Sequence, residues 1–93
     1  VFSDIIIKRE KMKTEIFEKA IRNRNRINFF YDTKEVTLEP YYIGFNHSGK
    51  KVVFGRVISS SQIKMFEFEK IFNIKLIAKP QFSPIIPLMA MVN

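Results

Sequence analysis

The sequence predicts a mainly β domain: one N-terminal helix, then a small antiparallel sheet bent into a barrel. Three observations predict it. An amphipathic stripe at helical spacing occurs once, early in the chain. After it, apolar and polar residues alternate in short runs. Those runs are separated by clusters of turn-forming residues such as Asn46-His47-Ser48-Gly49. With four or five short strands, closure into a barrel is the simplest way to protect the sheet edges.

Residues 1–13 read as a linker or edge segment, with the start of a helix left open: Ile5-Ile6-Ile7 is apolar, and a charge-rich stretch from Lys8 to Lys13 follows. Residues 14–23 read as the helix, with Thr14 as N-cap and Glu15 and Glu18 in the first turns, where negative charge suits the dipole. Ile16, Phe17, Ala20 and Ile21 give it one face to bury. Arg22, Arg24 and Arg26 cluster at its end, and Asn23 or Asn25 is suited to the left-handed position that closes it. Ile27, Phe29 and Tyr31 begin the β region. Asp32 to Glu35 forms a turn, and Val36 and Leu38 resume the alternation up to Pro40. Proline has no N–H for a ladder, and the pattern changes phase between Pro40 and Ile43, which predicts a bulge. Residues 51–58 read as a strand with Val52 and Phe54 inward. Residues 63–71 read as another, with Phe66 and Phe68 on one side and Glu67 and Glu69 on the other. Residues 73–79 complete the set. The tail, residues 83–93, carries Pro84 and Pro87 among Ile85, Ile86, Leu88, Met89, Met91 and Val92. It is expected to pack on the barrel or on another chain, which makes a homo-oligomer through residues 84–93 one expected assembly.

Composition limits the function. Ninety-three residues make one small domain, and 46% apolar content with ten Phe argues for a packed core. Sixteen Lys and Arg against nine Asp and Glu give a net charge of +7, which favours polyanionic partners: single-stranded nucleic acid, a nucleotide, or an anionic membrane surface met by the basic N-terminal stretch. There is no Cys, hence no disulfide framework or thiol nucleophile, and the expected location is the reducing cytoplasm. No apolar run approaches the roughly 20 residues of a membrane span. The sequence has no Gly-rich phosphate loop, nucleophile elbow or His–Glu metal helix. His47 is the single His and sits in a turn without a second ligand at metal spacing. The chain is therefore expected to be non-catalytic, with no cofactor and no metal.

The order of features from Phe17 onward resembles the WYL domain family. The residues that carry the resemblance are Ala20-Ile21 on the helix, Arg24, the strand Ile27 to Tyr31, Pro40 with Ile43 three residues on, the turn residue Gly49, and the run Lys64 to Ile71. The resemblance covers roughly residues 14–82 and implies an SH3-like (Sm-like) barrel behind a helix. It also implies a bacterial regulatory module, in transcription control or phage defence, that senses nucleic acids or nucleotides through a basic, aromatic-lined surface. The triplet that names the family falls on Lys51-Val52-Val53, where only apolar character is kept, and the Arg of its last motif is Lys70.

The candidate ligand residues follow. Lys70 takes the place of the family Arg, as a point charge instead of a fork. Arg56 is the only charge from Phe54 to Ile58, and Lys64 is a weaker case of the same kind. One of Tyr41 and Tyr42 should be exposed, since neighbours on a strand face opposite ways, and that one could stack on a base. Arg24 would extend the footprint. Each also has a plainer reading: a solvated charge, a carboxylate partner, or an aromatic packed on Pro40. Glu67 and Glu69 read as a solvated strand face.

Overall fold

The computed structural model describes residues 2–83, with side chains from residue 8 onward. Helix α1 (Phe2–Asn23) leads into strands β1 (Arg26–Tyr31), β2 (Lys34–Phe45), β3 (Lys51–Val57) and β4 (Ile63–Glu67), a single 3-10 turn (Phe68–Lys70), and β5 (Ile71–Ile77). The strands form one antiparallel sheet in the order β4-β3-β2-β1-β5.

The helix is longer than its sequence signals suggest. Thr14 is not an N-cap but lies inside α1, where its hydroxyl donates back to the Glu10 carbonyl at 2.8 Å. Nothing in the Lys8–Lys13 stretch breaks a helix, and its Lys, Arg, Glu and Met are good helix formers. The left-handed residue that ends α1 is Arg24 (φ 54°), not Asn23 or Asn25. Asn25 is needed elsewhere: its side chain donates to the Ala78 carbonyl at 2.9 Å.

The hairpin β1–β2 turns on Asp32 and Thr33, and the phase change at Pro40 is a bulge, with Tyr41 the unpaired residue between the pairs Pro40–Gly55 and Tyr42–Phe54. Proline is thus accommodated in the central strand because the ladder is already interrupted there. Gly55 allows the close approach: a Cβ on it would stand 2.3 Å from the Glu39 carbonyl oxygen and 2.8 Å from Leu38 Cγ.

The last expected strand pair is divided differently. Residues 63–71 do not run straight; the chain bends at Phe68 into the 3-10 turn, and β5 starts at Ile71 instead of Asn73. The bend buries Phe68 against Phe17, with ring centroids 5.3 Å apart and stacked. This turn joins the two edge strands of the sheet. Laid flat, those strands would lie roughly 19 Å apart at the usual spacing. Four residue steps reach about 14 Å at most. The sheet must therefore curl. The 3-10 turn is tied to the end of β1: the Glu67 N–H donates to the Tyr31 hydroxyl, and the Asp32 N–H to the Lys70 carbonyl, both at 3.2 Å. The curled sheet is nonetheless not a closed barrel. Among the described residues β4 pairs with β3 alone and β5 with β1 alone. The residues that would extend a closing ladder are spent on the 3-10 turn.

The core lies inside the curl, capped by α1. Phe17, Ala20, Ile27, Phe29, Leu38, Val53, Phe66, Phe68 and Ile71 are buried together, and Phe29 meets Phe17 and Phe66 edge-on. Val53, not Phe54, points inward from β3. Phe54 lies on the outer face, stacked on Tyr42 at 4.5 Å. The expected packing of the tail concerns residues 84–93, outside the described residues.

Candidate functional site: a basic cleft between the helix and the 3-10 turn

The six residues singled out from sequence do not form one site. Arg56 is committed to the protein itself. Its guanidinium lies 3.3 Å from the Glu39 carboxylate and donates to the Ser61 hydroxyl at 3.2 Å. Glu39 is 3% exposed and is gripped from its other side by Arg26 at 3.2 Å, while the Tyr41 hydroxyl donates to it at 3.4 Å. Glu39 and Arg56 are direct cross-strand partners. A buried carboxylate between two arginines is a structural clamp, since an unpaired charge there would be costly. Tyr41 is buried beside this clamp and packs on Phe82.

Lys70 is 3.6 Å from Glu67, which also accepts from Asn46 at 3.0 Å. Glu69 instead pairs with Lys50, so the two carboxylates neither act together nor form a free solvated face. Lys64 is exposed on the edge strand, paired across from Gly55. Tyr42 is 41% exposed, but Phe54 covers one of its faces. Arg24 is exposed at the far end of α1 and its carbonyl accepts from the Phe82 N–H. Its neighbours are used locally: Arg22 pairs with Glu18 along the helix, and Arg26 belongs to the Glu39 clamp.

The structure assembles a different basic site. A cleft of about 490 Å³ opens between the N-terminal half of α1, the β2–β3 turn and the 3-10 turn. Arg9, Glu10 and Lys13 form the helix wall. Gly49, Lys50 and Lys51 form the opposite wall. Phe68, Glu69 and Phe72 make the floor and rim. Four cations thus face two carboxylates. Arg9 and Lys13 are four residues apart, so they share one face of α1, an arrangement that costs a helix roughly 0.2–0.5 kcal/mol. Lys13 is fixed in place: its ammonium donates to the Phe68 carbonyl at 2.6 Å and lies 5.2 Å from the centre of the Phe72 ring. Burial, and then the nearby Arg9 charge, hold its pKa below the ordinary lysine value. Lys51 stands over the Phe68 ring at 6.0 Å. Gly49, in the left-handed region (φ 76°), turns the chain so that Lys50 and Lys51 follow it onto the wall.

Lys50 and Glu69 meet at the cleft with a 2.6 Å contact. Hydrogen bonding and charge act together there, holding the Glu69 carboxyl below its usual range and raising Lys50 above its own. Both side chains are well exposed, so the pair is held loosely compared with the Glu39 clamp.

Sequence reasoning missed this cleft because its walls come from three distant segments. One of them, residues 8–13, is made of helix formers but carries no apolar stripe to show which way it would face. The available signals were the four-residue spacing of Arg9 and Lys13 and the position of Lys50-Lys51 directly after Gly49. Lys51 is also where the first residue of the WYL triplet falls. Among the described residues no group of His, Asp or Glu could hold a metal ion, and no helix is long and apolar enough to cross a membrane.

The fold has a solved counterpart. The chain is similar to proteasome accessory factor B/C (PafBC) of Arthrobacter aurescens, with a TM-score of 0.65 at 16% sequence identity. The likeness covers 82% of this chain and 13% of PafBC. At that identity it is a likeness of fold, and this chain spans a small part of the larger protein. No family model and no curated protein matches the sequence.

Proposed function

We propose that the chain is a non-catalytic regulatory binding module of WYL type, which senses a nucleic acid or nucleotide-type anion through the cleft between α1 and the 3-10 turn. The observation that carries the reading is the cleft itself: Arg9, Lys13, Lys50 and Lys51 converge on a concavity floored by aromatic rings. Concave sites of a few hundred Å³ with a small number of placed charges are typical of ligand sites. Cations beside aromatic faces suit phosphate and base together. The order of WYL-like features in the sequence supports the class. The fold shared with PafBC is compatible with that class. The resemblance adds the expected setting, transcription control or phage defence inside a bacterial cell.

The test is fluorescence anisotropy of labelled single-stranded DNA and RNA against salt. It compares the wild type with Lys50→Ala/Lys51→Ala and with the charge-matched Lys19→Ala/Lys34→Ala, whose side chains are exposed away from the cleft. Binding should weaken steeply with salt as counterions are released. It should be lost in the cleft variant and kept in the control. Equal loss in both variants would show a generic basic surface and end the cleft reading.

A further inference from the structure

The cleft has one cationic partner already occupied by a carboxylate and one ring left open. Lys50 holds Glu69 at 2.6 Å, an exposed ion pair that a stronger anion can replace. Arg9 lines the same cleft. Of the two rings in the cleft, Phe68 is buried, stacked on Phe17 on one side and covered by Lys51 on the other. Phe72 is 52% exposed; Lys13 sits over one face and the rest of the ring is open. Proteins that track a single strand stack successive bases on several aromatic platforms. Here the cleft offers one. Two further exposed rings flank it, Phe30, paired in the ladder with Phe72, and Phe45, paired with Lys51, and neither lines the cleft.

We propose that the cleft receives a single phosphate-bearing nucleotide unit, its phosphate displacing the Glu69 carboxylate from Lys50 and its base resting on the open face of Phe72. This rests on the binding function proposed above and narrows it. The unit can be a free nucleotide or the phosphorylated end of a strand; the chemistry recognised is the same. Glu69 then serves as a built-in competitor that sets the affinity, since the ligand must break the Lys50–Glu69 pair before it gains that cation. A nucleoside without phosphate gains nothing at Lys50, and inorganic phosphate gains nothing at Phe72.

The experiment is competition against a fluorescent 5′-phosphorylated dinucleotide on the whole chain. The competitors are AMP, adenosine, inorganic phosphate, and oligonucleotides of two to twelve nucleotides with and without a 5′-phosphate. AMP should displace the probe fully, and adenosine and phosphate should each be at least roughly ten-fold weaker, the scale of one stacked base or one charged contact. Affinity should not grow with length beyond two nucleotides. A need for the 5′-phosphate identifies a strand end among the oligonucleotides, whereas AMP binding tighter than any oligonucleotide identifies a free nucleotide. Phe72→Ala should weaken AMP roughly ten-fold and leave phosphate unchanged. Phe30→Ala and Phe45→Ala should change neither. Glu69→Gln should tighten AMP several-fold, a gain that a damaged fold cannot produce, while Glu35→Gln, exposed at the β1–β2 hairpin, should not.

Affinity that climbs with length and falls in Phe30→Ala or Phe45→Ala would overturn the single-unit inference and leave the nucleic-acid function standing. Inorganic phosphate competing as well as AMP would also overturn it. So would an unchanged or weakened affinity in Glu69→Gln. No binding of any nucleotide or oligonucleotide at low salt would overturn both this inference and the function on which it rests.

Discussion

Replacing Arg56 by alanine should make the protein easier to unfold without loosening its hold on an anion. The reasoning starts from Glu39, 3% exposed and held by Arg56 at 3.3 Å, Arg26 at 3.2 Å and the Tyr41 hydroxyl at 3.4 Å. Removing the sole partner of a buried charge costs about 3–5 kcal/mol. Here one arginine remains, and the two arginine side chains are 25–26% exposed, so solvent already screens part of each attraction. The loss is nearer that of one charge-assisted hydrogen bond, about 2 kcal/mol. In a domain of this size that lowers Tm by roughly 8–16 °C. Arg26→Ala should cost a similar amount. The double variant should cost more than the sum, because Glu39 then has no cation left; a coupling of about 1–2 kcal/mol is the expected signature of a shared network. Urea unfolding followed by circular dichroism measures each term. If Arg56→Ala keeps wild-type stability within about 0.5 kcal/mol, the range of an ordinary surface change, and at the same time abolishes nucleotide binding, then Arg56 is a ligand anchor and the clamp has been misread.

Other expectations follow from the same geometry. Gly55→Ala places a methyl group 2.3 Å from the Glu39 carbonyl oxygen, and the backbone must move; overpacking of this kind costs about 3 kcal/mol. Gly44→Ala, with its nearest neighbour 3.5 Å away, should stay within about 1 kcal/mol of wild type, and equal urea midpoints for the two variants would disprove the close-approach argument. Phe17→Ala removes the ring that stacks on Phe68 and meets Phe29 edge-on, and should cost about 3–5 kcal/mol in the same assay; a loss below 1 kcal/mol would mean that the helix is not packed as described. The Lys50–Glu69 pair sets a pH dependence with two limits. The Glu69 pKa is lowered by its hydrogen bond to Lys50, so its contribution is present above the ordinary carboxylate pKa and fades as pH falls through the lowered value. The Lys50 pKa is raised by the same bond, so its contribution is present below the ordinary lysine pKa and fades as pH rises through the raised value. Stability curves of wild type and Glu69→Gln should therefore converge at the acid and alkaline ends, and parallel curves throughout would show that the pair is not formed.

Much of the fold was legible in the sequence because strand alternation and turn chemistry are local. The bulge at Pro40 showed itself as a phase change, the β1–β2 turn as the run Asp32 to Glu35, of which Lys34 and Glu35 already belong to β2, and the split exposure of Tyr41 and Tyr42 as the alternation of a strand. The errors arose where tertiary contacts decided the outcome. Phe68 bends the chain because Phe17 lies across from it, and nothing within residues 63–71 announces a partner some fifty residues away. Thr14 is a good cap by composition, but a helix continues through a good cap when the residues before it are themselves helix formers. The site was less legible still. Arg56 stands out as the only charge from Phe54 to Ile58, and the same isolation suits a residue paired with a buried glutamate on the next strand. The cleft needs Lys13, Lys51 and Phe72 at once, and only the curl of the sheet brings those segments together.

The most direct test of the central claim, that the anion site is the cleft and not the Arg56 face, is a titration of isotope-labelled protein with AMP followed by amide chemical shifts. The account predicts shifts concentrated at Gly49 to Lys51, at Phe68 to Phe72 and around Lys13, with Arg56, Lys64 and Tyr42 unmoved. Shifts centred on Arg56, Lys64 and Tyr42, with the cleft silent, would contradict it.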